Sequence, residues 1–189
     1  MPDARELVRR VRTRGTQWGV VIFLGSFLLG VAVLSGGVTP LLPAWAIAAE
    51  PPAKTAPAFS LPDLQGKRRA LSDYLSAKPI LLEFMSPDCP HCREMAPILG
   101  RLHTVYADRI QFLSVAFDRS VGRIQAFAAI EKHSWPYLLG TQAVVDAYKL
   151  EGVPAFCFIA PDGRLIQYAV GSMPEQELRQ HLDALLKAR

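Results

Sequence analysis

At 189 residues the chain has room for one ordinary domain and an appendage, and too little for two independent cores. Half of its residues are hydrophobic, yet none carries a charge from Gly15 to Ala49. The net charge of +4 sits mostly in the first fourteen residues, where Arg5, Arg9, Arg10, Arg12 and Arg14 face only Asp3 and Glu6; such a tail beside an apolar segment is a membrane-topology signal and argues against nucleic acid as a partner.

In chain order, residues 1–17 read as a basic cytoplasmic tail and 18–38 as an apolar stretch of about the 20 residues that a membrane helix needs. Two readings of that stretch stay open. It is an uncleaved anchor, or it is the core of a signal peptide with small-residue cleavage patterns between Ala44 and Ala48. Either one exports the remainder of the chain. Residues 39–57, ending in Glu50–Pro57 (EPPAKTAP), read as a cleavage region and linker, and the folded domain is expected at 58–189.

Within the domain, Phe59–Leu61 and Lys67–Ala70 flank Asp63-Leu64-Gln65-Gly66 and predict a small hairpin. Leu71–Leu75 predicts a short helical turn. Pro79–Met85 (PILLEFM) is an apolar run of buried-strand length broken only by Glu83. A helix is expected from about Pro90 to Tyr106, with a kink at Pro97. Ile110–Phe117 predicts a strand, and Val121–Lys132 a helix with Ile124, Phe127, Ala128 and Ile130 as its apolar stripe. Trp135-Pro136-Tyr137 reads as a loop against the core. Thr141 is placed to cap a helix running to about Tyr148. Val153–Ala160 and Arg164–Val170 flank the turn signal Pro161-Asp162-Gly163, and Pro174 opens a last helix ending near Lys187. The sum is an α/β domain with a mixed sheet flanked by helices, behind an N-terminal membrane or signal segment.

The chemistry concentrates at Cys89-Pro90-His91-Cys92, where a buried strand meets a helix. Helical positions three apart share a face at about 5–6 Å between Cβ atoms, close enough for a disulfide after modest adjustment. So short a loop constrains the unfolded chain little, so the bond can be made and broken at small structural cost. Amides at the helix start favour a thiolate on Cys89, and a protonated His91 adds to this. Pro90 supplies no amide hydrogen. Cys89 is thus the expected nucleophile and Cys92, one turn further on, the resolving thiol, with exchange running through a mixed disulfide on Cys89.

The stretch Leu82–Cys92 resembles the active-site strand and helix of the thioredoxin superfamily, and its Cys-Pro-His-Cys centre is similar to that of the DsbA-type periplasmic disulfide donors. The wider frame resembles the TlpA/ResA group of membrane-tethered thioredoxin-like proteins, through Ala58–Lys67 at its start and Tyr148–Ile166, with Gly152-Val153-Pro154, near its end. The resemblance implies a thioredoxin-like fold on the periplasmic face of a bacterial cytoplasmic membrane, protein thiols and disulfides as substrates, a membrane redox partner that recycles the pair, and no cofactor or metal. It also implies that Glu83 is a buried acid exchanging a proton with Cys92, that Pro154 is a cis-proline which, with Val153, docks substrate, and that Pro97 kinks the helix. The frame points to a reductant of particular exported partners, such as apocytochrome c or copper-site thiols; the dipeptide points to an oxidant.

Two departures from the pattern bear on the direction of electron flow. Asp88 precedes the first cysteine, and the strand Ile110–Phe117 offers no lysine to pair with Glu83. As a reading of another class, a copper(I) module would use the two cysteines with Met85, Met95 or His91. A peroxidase fits poorly: Leu82 and Ser86 stand where a Pro-x-x-x-Thr-x-x-Cys motif needs proline and threonine. Cys157, inside an apolar strand, reads as an inert buried thiol.

Overall fold

The computed structural model describes residues 54–75 and 78–188. The predicted tail, membrane or signal segment and most of the linker therefore lie outside the described residues; among these, no helix is long and apolar enough to cross a membrane.

Two short strands, β1 (Ser60–Pro62) and β2 (Arg68–Ala70), form the N-terminal hairpin, followed by a single 3₁₀ turn at Leu71–Asp73. The main sheet takes β3 (Ile80–Met85), β4 (Gln111–Ala116), β5 (Tyr137–Leu139), β6 (Ala155–Ile159) and β7 (Leu165–Val170) in the order β5-β4-β3-β6-β7. The pairs β3–β4 and β4–β5 are parallel, while β3–β6 and β6–β7 are antiparallel. The helices are α1 (Pro90–Tyr106), α2 (Val121–Ile130), α3 (Gln142–Ala147) and α4 (Glu175–Lys187).

β3 is central, and all six of its residues are buried, which is why its sequence is a continuous apolar run rather than an alternating one. Alternate residues point to opposite faces. Leu81 and Met85 join the core beneath α1, α2 and α4, whereas Ile80, Leu82 and Phe84 join a second core against α3 and the N-terminal hairpin. α1 lays Cys92, Met95, Ala96, Leu99, Leu102 and Tyr106 on the sheet, the spacing that a helix needs to bury one face. Glu83 shares the α1 side of β3 with Leu81 and Met85.

Several details differ from the sequence reading. Ordered contacts begin before Ala58: Thr55 bridges to Arg164, and the Ala56 amide donates to the Gly163 carbonyl at 2.9 Å. The helix α2 stops at Ile130, whose side chain is 76% exposed, so only Ile124 and Phe127 of the proposed stripe are buried. Pro174 is the N-cap of α4 rather than its first helical residue. Tyr137–Leu139 is a strand, not loop, and the hairpin reaches its outer edge through an Asp63–Leu138 bridge. An exposed edge strand invites intermolecular pairing, and this hairpin covers part of it.

Candidate active site

Both cysteines of the motif lie where β3 hands over to α1. Cys89 is the N-cap of α1, with extended backbone angles, and Pro90 occupies the first helical position, where its missing amide hydrogen costs nothing. The loop before it is held by the Cys89 amide donating to the Ser86 carbonyl at 3.1 Å, and by Arg93 Nε donating to the Pro87 carbonyl at 2.7 Å. Both thiols are free. Cys89 is half-buried, and its Sγ lies 3.3 Å from the Val153 carbonyl oxygen, so the thiol donates there. The Val153–Pro154 peptide is cis, as the resemblance implied. Cys92 is fully buried. Burial holds its thiol far above the ordinary range, and the neighbouring Cys89 sulfur and the charge of Glu83 push the same way.

Glu83 is 4% exposed, and burial raises its carboxyl from 4.5 to about 7, against the opposing pull of a hydrogen bond from Ser114. That bond runs from Ser114 Oγ to Glu83 Oε2 at 2.7 Å, and Trp135 Nε1 donates to the same Oγ at 2.8 Å. The contact follows from register, since Glu83 pairs with Ser114 and Ser114 with Tyr137, setting three polar residues in one row across the sheet on the α1 side. Where a lysine was missing from β4, a serine fed by an indole stands instead.

The charged flanks are paired. Asp88 forms an ion pair with Arg123, from the first turn of α2, which also reaches Asp118 at 3.5 Å. The carboxylate next to Cys89 is thereby countered by a guanidinium that sequence reading did not single out. His91 points outward, 64% exposed, with Nδ1 3.0 Å from Glu94 Oε2. Of the extra donors that a copper reading would recruit, Met85 and Met95 are buried in the same core cluster as Cys92, and Met95 Sδ accepts from the Met173 amide at 3.4 Å. Among the described residues no group of three or more His, Cys, Asp or Glu is arranged to hold a metal.

The structure thus brings Cys89, Cys92, Glu83 and Val153 together and turns His91 away. It adds Ser114, Trp135 and Arg123, for which the only signals in the sequence were isolated polar or aromatic residues with no visible partner. His133 is half-buried. It stacks on Trp135 at 3.9 Å between ring centroids and bonds to Tyr137 and to the Ala96 carbonyl. Cys157 is fully buried in β6, and burial raises its thiol well above the ordinary range.

A family model described as AhpC/TSA matches residues 52–168. Thioredoxin-like protein YneN of Bacillus subtilis is 30% identical over 131 residues, covering 68% of this chain and 76% of its own length. Thiol-disulfide oxidoreductase ResA of Geobacillus thermodenitrificans is 27% identical over 133 residues, covering 69% and 76%. Among solved structures, a secreted Mycobacterium tuberculosis disulfide oxidoreductase, described as homologous to DsbE of E. coli, superposes with a TM-score of 0.58 at 26% identity over 67% of this chain and 95% of its own.

Proposed function

The chain belongs to the AhpC/TSA family, and on that footing we propose that its thiol–disulfide oxidoreductase activity runs through Cys89 as nucleophile and Cys92 as resolving thiol, with exported proteins as substrates. The observation that carries the role assignment is the unequal burial of the pair. Cys89 is accessible at a helix start beside the Val153 carbonyl, while Cys92 is fully buried one turn on. A partner sulfur reaches the first and not the second.

As a reductant the cycle is balanced. The Cys89 thiolate attacks a substrate disulfide and expels one substrate thiolate. Cys92, its proton passed to Glu83, then attacks Cys89, forming the internal disulfide and releasing the second substrate sulfur with the electron pair. Glu83, titrating near neutrality, can take that proton and return it when the pair is re-reduced. Pro154 and Val153 sit where a substrate strand would lie. Leu82 and Ser86, in place of the peroxidatic proline and threonine, support disulfide exchange rather than peroxide reduction within this family.

Reduction of particular exported partners, cytochrome c or copper-site thiols, is the direction we favour. A pair becomes strongly oxidising when its reduced form is specially stabilised. Here burial opposes a second thiolate at Cys92, and the His91 ring is turned outward against Glu94 rather than towards Cys89. On the basic tail and the apolar 18–38 segment we place the domain outside the cytoplasmic membrane, anchored or released, where a membrane redox partner would recycle it. Replacing Cys92 by Ser should trap substrates as covalent adducts on Cys89, visible on a non-reducing gel and lost with Cys89→Ser. Absence of adducts would overturn the role assignment, and a strongly oxidising equilibrium with glutathione would reverse the direction.

A further inference from the structure

Beneath Cys92 the hydrogen-bond directions are determined by what each group can give. Trp135 Nε1 is a donor only, so Ser114 Oγ must accept from it. Ser114 carries a single hydroxyl hydrogen, and the Glu83 carboxylate oxygen 2.7 Å away is the partner for it. The Ser114 amide is engaged as well, donating to the Pro136 carbonyl at 3.0 Å, which pins the 135–136 segment against β4. The indole is itself held, 7% exposed, between His133 and Phe112. The Tyr137 phenol also lies near Ser114 but is engaged with His133, and Glu83 Oε2 is the acceptor within hydrogen-bond distance of the hydroxyl.

We propose that Trp135 is a positioning residue for disulfide exchange: through Ser114 it commits a hydrogen bond to Glu83, holding that carboxylate ready to take the Cys92 proton and so setting the pH range in which the resolving step runs. The inference rests on the exchange reading above and extends it to the Cys92 step. In that step the Cys92 S–H bond breaks as its proton passes to Glu83. The new Cys92–Cys89 bond then forms as the bond from Cys89 to the partner sulfur breaks, and the electron pair leaves on that sulfur.

The other groups facing Glu83 leave it the titrating one. α1 presents Cys92 and β5 presents Tyr137, both held above their ordinary ranges by burial, and both feel the Glu83 charge. β6 presents the apolar Phe156. Behind Tyr137, burial brings His133 down to about 4, and burial also lowers His103, whose ring lies 4.8 Å from that of Trp135. Between pH 5.5 and 9 Glu83 is thus the titrating group in contact with Ser114, and a change specific to Ser114→Ala reports on it.

The test uses stopped-flow reaction of the full-length reduced protein with 5,5′-dithiobis(2-nitrobenzoate). A first release of thionitrobenzoate reports attack by Cys89, and a second reports resolution by Cys92. Ser114→Ala should slow the second phase at pH 6 by roughly tenfold, the scale of one hydrogen bond to a charged group, with rates converging at pH 9 and the first phase unchanged. Trp135→Phe should move the profile in the same direction by less, and Ser114→Thr, which keeps the hydroxyl, should retain the wild-type profile. A Ser114→Ala profile that superimposes on wild type, or an equal shift in Ser114→Thr, overturns the proposal even if Trp135→Phe fails to fold. Absence of any second phase in the wild type would instead sink the exchange reading itself.

Discussion

Exchanging Glu83 for Gln should remove most of the pH dependence of stability between about pH 5 and 7. In the unfolded chain this carboxyl titrates at 4.5, and in the folded protein burial moves it to about 7. Between those values the folded state holds a proton that the unfolded state has released, so unfolding sheds a proton and stability falls as pH rises. The folded form suffers nothing below 4.5 and the full penalty above 7. The gap between the two values, at about 1.4 kcal/mol per pH unit, comes to about 3 kcal/mol. The amide introduced by Glu83→Gln stays neutral and still accepts from Ser114, but its hydrogens lack the partner that water would supply, a cost of about 1 kcal/mol at every pH. The variant should then be less stable than wild type at pH 5 and more stable by about 2 kcal/mol at pH 8. Urea unfolding of both proteins from pH 5 to 8, with the cysteines kept reduced, measures the difference, in which every other titrating group cancels. Parallel stability curves would refute the reasoning, because they would mean that Glu83 ionises as easily inside as outside.

Removing the guanidinium in Arg123→Gln leaves Asp88 unpaired beside Cys89. Since both side chains are about half exposed, the effect is bounded by surface-pair energies of up to about 1 kcal/mol, or about fivefold slower alkylation of Cys89 by iodoacetamide at low salt. The gap should close in 1 M salt, and a salt-independent difference would point to packing instead. At Gly140 an added Cβ would stand 2.3 Å from the Phe117 ring, so Gly140→Ala should cost about 1–3 kcal/mol of stability. The double variant Gly140→Ala/Phe117→Leu should recover part of it in the same urea assay, and additive losses would show that the ring is not the obstacle.

What could be read in the sequence was whatever a single segment contains. The cysteine spacing, the apolar run of β3 and the face of α1 are local patterns, and each predicted its element to within a residue or two. The failures share one cause. Three-residue β5 has no period long enough to detect, and Pro136 beside it reads as a loop signal. Ile130 fits the α2 stripe by number, but it lies in the final turn, where the helix has run past the core that the stripe would cover. His133 and Trp135 had no partner in sight, because theirs are the Ala96 carbonyl on α1 and the Ser114 hydroxyl on β4.

The site divides the same way. Cys89, Cys92 and the cis peptide at Pro154 were legible, the last through resemblance alone. The polar row was not, because it exists only after β3, β4 and β5 pair in parallel and in this register. A slip of one residue along β4 would turn Ser114 to the opposite face and leave the Glu83 carboxyl among apolar side chains with no hydrogen bond. Its protonation would then shift further from neutrality, and Cys92 would lose the base that the proposed exchange cycle uses. On the proposed cycle, the chemistry of the cysteine motif would therefore depend on a serine 31 residues after Glu83 and an indole 21 residues further on, neither of which carries reactivity of its own.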